Sequence, residues 1–202
     1  MKCLFPLLLL TIIVSCQNKK ESETIKTAVV KEPQMTDNEF VLKLIEVGFF
    51  KHTESTIDTT KMDSLNVYDE NTNKFVRIDA EELAEFNFDS FVPQLKKILA
   101  KRNVSLSVEK TEEIEKTYEI KINNLRVQLY NEWQLNDGSF WKAASTNFFK
   151  SLNQILKENK VEERFYLVNG GNDLSALLLT ESQYKIFSKK YNSIPNDLPI
   201  MP

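Results

Sequence analysis

Residues 104–129, VSLSVEKTEEIEKTYEIKINNLRVQL, decide the fold class. Val104, Leu106 and Val108 alternate with polar residues, and the same period returns at Tyr118, Ile120 and Ile122 and again at Leu125, Val127 and Leu129. A period of two sets one face of a strand on a core and the other in water. The phase slips at Asn123-Asn124, which marks either a bulge or a tight turn. Strands joined by links this short favour antiparallel pairing.

On either side the period changes. Thr36-x-x-Glu39 reads as a capping box opening a helix with the stripe Phe40, Val41, Leu44, Ile45 and Gly48. Gly48 on that stripe suggests close approach by a neighbouring element. Residues 52–73, rich in Thr, Ser, Asp and Asn, read as a long exposed loop, followed by a short strand over Phe75–Ile78. Asp79-x-x-Glu82 caps a brief helix carrying Leu83 and Phe86. A further helix starts near Asp89 or Ser90, with Pro93 tolerable in its first turn. Asn136-Asp137-Gly138 is a turn, and after it the strongest helical pattern runs from Phe140 to Glu158. Phe165–Val168 and Leu174–Leu179 read as strands joined by the hairpin Asn169-Gly170-Gly171-Asn172-Asp173. Thr180-x-x-Gln183 caps a last helix with Tyr184, Phe187 and Tyr191 inward, and Pro195, Pro199 and Pro202 end regular structure. The expectation is one α+β domain over 36–202: an antiparallel, or mixed, sheet of about five or six strands with helices packed on one face.

The leader fixes a location. Met1-Lys2, an apolar run from Leu4 to Val14, small Ser15 and then Cys16 follow the order of an export signal. The run is too short to span a hydrocarbon core, which needs about 20 apolar residues. Ile13-Val14-Ser15-Cys16 resembles the bacterial lipobox, with Ile where Leu is commoner. That resemblance to exported lipoproteins covers residues 1–16 alone. It implies cleavage before Cys16, a diacylglyceryl group on its sulfur and acylation of its new amine. Residues 1–15 are then a signal peptide, and 16–35 a lipidated cysteine and polar tether. The lipid bilayer becomes a partner through acylated Cys16, because two or more acyl chains give stable attachment. Gln17 stands where Asp commonly retains such proteins in the inner membrane, so the family analogy favours the outer membrane. Lys19-Lys20-Glu21-Ser22-Glu23 is similar to segments that send some lipoproteins to the cell surface.

Composition excludes several chemistries. The chain has 26 basic and 29 acidic residues, one histidine and two cysteines. Cleavage before Cys16 removes one lysine and no acid, leaving a mildly acidic chain with no basic tract for nucleic acid. Cys3 leaves with the leader and Cys16 carries lipid, so the domain has no disulfide, thiolate nucleophile or cysteine-ligated metal. Stability must come from an apolar core, for which about 150 residues suffice.

No constellation compels a catalytic, metal or cofactor site. Asp69-x-Asn71-x-Asn73 starts like an EF-hand loop, but Lys74 replaces the turn glycine and Ala80 the closing glutamate. His52 fits a cap at the C-terminal end of the first helix better than a catalytic base. Gly170-Gly171 precedes an apolar strand and so lacks the helix that a phosphate loop needs. Asp58-Thr59-Thr60 and Asp63-Ser64-Leu65 resemble short O-glycosylation sites of exported Bacteroidota proteins. Trp133, Phe140 and Trp141 flank a turn, and Phe149 lies off the main stripe of its helix. These four are the candidate binding residues. The leading expectation is a membrane-tethered, non-enzymatic module that binds an envelope or secreted protein, or a ligand. The alternatives are an envelope glycan or lipid hydrolase using paired carboxylates and a carrier with an apolar cavity.

Overall fold

The computed structural model describes residues 35–54, 65–194 and 197–202, which belong to one compact unit. Cys16, the expected tether up to residue 34 and both glycosylation-like motifs up to Ser64 lie outside the described residues, whereas Met35, assigned to the tether, is buried in the domain. In chain order the described elements are α1 (Asp37–Glu46), β1 (Phe75–Arg77), α2 (Ala80–Ala84), α3 (Val92–Ala100), β2 (Val108–Lys110), α4 (Ile114–Thr117), β3 (Glu119–Ile122), β4 (Leu125–Gln128), α5 (Glu132–Asp137), α6 (Phe140–Glu158), β5 (Arg164–Val168), β6 (Ser175–Leu179) and α7 (Glu181–Tyr191). None of these helices is long and apolar enough to cross a membrane.

The class is α+β and all strand pairs are antiparallel, but the strands form two sheets of three, β1-β6-β5 and β2-β3-β4. The expected single sheet is thus divided, and the first sheet is covered on both faces rather than one. Val76, Phe165, Ala176 and Leu178 face one core with α2, α3, α6 and the second sheet. Phe75, Tyr166, Val168, Leu177 and Leu179 face another with α1 and α7. Burial on both faces explains why all five residues of β6 are buried and why its sequence, SALLL, does not alternate.

Asn123-Asn124 is the tight turn, because Ile122 pairs with Leu125 directly across it. Asn123 takes a left-handed φ of 52°. Its amide ties the turn to the preceding chain, accepting from the Ser107 amide at 2.7 Å and donating to the Ser105 carbonyl at 3.0 Å. That chain, Val104 to Ser107, carries buried Val104 and Leu106, but β2 pairs only from Val108. Tyr118 is not in a strand; it ends α4 in the left-handed region at φ 52°.

Four local expectations change. A side chain at Gly48 would meet no atom within 4 Å, so its use is the left-handed turn at φ +69° rather than close packing. The first helix stops at Glu46 with Val47 as its C-cap, which leaves His52 beyond it and unable to act as its cap. Phe86 lies past α2 at φ 63°. The polar stretch before β1 dives inward, with Thr72, Asn73 and Lys74 all buried.

Candidate functional site

Four features bear on function: a helix left in water, a covered aromatic, an open groove, and a buried ion cluster.

The sequence reading of Asn136-Asp137-Gly138 as a bare turn misses a helix. Asn131-x-x-Gln134 is a capping box: Asn131 accepts from the Gln134 amide, and the Gln134 side chain accepts from the Asn131 amide, both at 3.0 Å. These two bonds satisfy free amides of the first turn. Gly138 closes α5 at φ 78°, a conformation that suits glycine. The helix buries none of its residues. Trp133 on it is 71% exposed, Leu135 is 38% exposed, and Trp141 at the start of α6 is 37% exposed. Phe140 is half-buried between Tyr130 and Trp141, at ring centroid distances of 5.4 and 5.5 Å.

Phe149 does not belong to that surface. It is fully buried, with Phe148 and Phe165 rings at 5.3 and 5.4 Å, and so reaches no partner. A second apolar sheet face beside α6 widens the helix's buried arc beyond the stripe read from sequence, and Phe149 fills it.

An open groove of about 1230 Å³ lies at one end of the first sheet. Arg77, Ser175 and Val168 form one register row across its floor. Tyr68 and Tyr191 wall it, and burial together with a hydrogen bond to Tyr191 pushes the Tyr68 phenol up. Five carboxylates line it: Glu70, Asp79, Glu82, Asp173 and Asp197. Asp79 caps α2 by accepting from the Glu81 and Glu82 amides, and Glu82 accepts the Ser90 hydroxyl. Asp79 and Glu82 are therefore engaged in holding α2 and the chain that follows it. The lining mixes these charges with apolar side chains such as Phe75, Leu174 and Leu198, and the groove is open rather than an internal cavity of the kind the carrier reading expects.

The fourth feature, the ion cluster, had no sequence signal. Lys74, only 1% exposed, donates to Glu163 Oε1 at 2.6 Å and to Gln183 Oε1 at 2.7 Å. Arg102 binds the same carboxylate through Nε at 2.7 Å and Nη2 at 2.9 Å. Its Nη1 donates to the Asn73 and Ile98 carbonyls. Lys74 Nζ also sits 5.2 Å from the Phe49 ring centroid. Burial alone would raise the Glu163 carboxyl, but hydrogen bonds from Arg102 and the charge of Lys74 outweigh it and hold it at about 2. Burial lowers Lys74 to about 8, against the pull of Glu163, because one carboxylate serves two cations. Burial and the Arg102 charge lower His52, whose carbonyl accepts from Asn73 Nδ2 at 2.8 Å. Lys74 does not line the groove, and the cluster ties the starts of β1, β5 and α7 to the end of α3.

Among the described residues no group of three His, Cys, Asp or Glu could hold a metal ion. No family model matches the chain, and no curated protein or solved structure shows significant similarity to it.

Proposed function

We propose that this chain is a lipid-anchored envelope protein whose domain binds a protein partner through α5 and the start of α6. Trp133 carries the reading: it is 71% exposed on a capped helix that buries nothing. Burying a large apolar side chain is worth roughly 1.5–3 kcal/mol, and Trp133 forgoes most of that in the free domain. Tryptophan anchors of this kind dominate protein interfaces. Glu132 and Asp137 on the same helix make it a poor match for an anionic leaflet, which favours a protein over the bilayer itself. The lipobox at residues 13–16 supports the anchor, and the polar tether gives the domain reach. An envelope protein or a secreted protein is the expected partner class, and the outer membrane the expected site.

Two variants separate anchor from binding. Cys16→Ala is expected to release the protein from the membrane fraction or leave its leader uncut. Trp133→Ala with Trp141→Ala should keep the membrane fractionation and lose a stoichiometric partner in pull-downs from detergent-solubilised envelope. An unchanged fractionation of the first variant overturns the anchor. An unchanged partner in the second overturns the surface.

A further inference from the structure

We infer that the groove at the end of the first sheet is a receptor for a short peptide bearing both a free carboxylate and a free amino group. The inference is independent of the tryptophan face, which contributes none of the groove's lining. The carrying observation is that charges of both signs stand in one cavity without pairing. Arg77 rises from the floor and makes no ion pair or side-chain hydrogen bond among the described residues, although five carboxylates share its groove. Glu70, Asp173 and Asp197 likewise have no cation of their own among the described residues.

A plain polycation would set like charge against Arg77, and a polyanion would meet five carboxylates. A zwitterionic ligand uses both: a carboxylate takes the guanidinium fork in two parallel hydrogen bonds, and an amine takes Asp173, Asp197 or Glu70. The backbone adds a third element. The Leu178 amide bonds the Lys74 carbonyl and the Ile78 amide bonds the Leu174 carbonyl. That alternation turns the amide and carbonyl of Arg77 away from β6, onto the outer edge of β1. Gln94 covers that edge at Phe75, donating to its carbonyl at 3.5 Å, so within β1 Arg77 alone offers the free amide and carbonyl by which a strand edge takes an extended peptide. The opposite edge is closed, since Leu167 and Ile200 exchange two bonds of 2.8 Å across it. At about 1230 Å³ the groove also exceeds the roughly 300–1,000 Å³ of small-molecule pockets.

The test is equilibrium dialysis of the full-length protein in detergent against three synthetic pools of random pentapeptides, read by mass spectrometry. One pool has free ends and all residue types. The second has acetylated ends and no basic residues, and the third has amidated ends and no acidic ones. The free pool should be retained about tenfold more than either other pool. Arg77→Gln should erase its advantage over the third pool, and Asp173→Asn with Asp197→Asn its advantage over the second. Arg77 is exposed and unpaired, so its variant should melt like the parent. Equal retention of the three pools, retention of none, or best retention of the amidated pool would each overturn the assignment.

Discussion

Replacing Glu163 with glutamine will lower the unfolding free energy by about 3–5 kcal/mol, the usual cost of removing one partner from a buried ion pair. Glutamine keeps the shape but leaves Lys74 and Arg102, 1% and 4% exposed, without a counter-charge. Urea denaturation should show an earlier midpoint at unchanged slope. A loss under 1 kcal/mol would mean that the cluster is solvated. The pH profile supplies the matching sign. Glu163 is held at about 2 against an ordinary 4.5, so its contribution is complete above pH 4.5 and is lost as pH falls towards 2. Glu163→Gln should lack that acid slope. Lys74 has the same sign in a higher window: held at about 8 against 10.5, it makes the unfolded chain bind the extra proton, so the cost of burying its charge is relieved as pH rises between those values.

Two aromatic truncations should differ as sharply as their surroundings. Phe149→Ala removes a fully buried ring packed on Phe148 and Phe165, at an expected cost of about 3–5 kcal/mol. Trp133→Ala removes a ring that stands mostly in water, and its effect on folding should stay within about 0.5 kcal/mol. Thermal or urea melts of the two variants decide the matter. Similar losses would mean that α5 packs on the domain, leaving no face for a partner.

The elements with strong periodicity or capping chemistry were readable from the chain. The long helix α6 has the bounds its pattern gives, Phe140 to Glu158, and α7 carries the capping box that Thr180-x-x-Gln183 implies. Sheet membership was not readable, because alternation shows which face is buried and not which strand lies alongside. Lys74 illustrates the limit for side chains. In a run of Thr and Asn it reads as a surface lysine, and its partners Glu163 and Gln183 stand 89 and 109 residues away. Gln183 does double duty, since its side chain both caps α7 and receives Lys74. The signal for α5 was present in Asn131-x-x-Gln134 and was hidden by the turn residues that follow it. Of the aromatics singled out, Trp133 and Trp141 are exposed and Phe140 half so, whereas the second sheet face claims Phe149.

The account turns on Trp133 as the proposed anchor for a partner protein. A photo-cross-linking amino acid at position 133, in the full-length protein within intact cells, tests it most directly. The same probe at Lys121 on the second sheet serves as comparison. One discrete protein adduct from position 133, absent from position 121, is the expected result. No adduct from 133, or the same adducts from both positions, would contradict it.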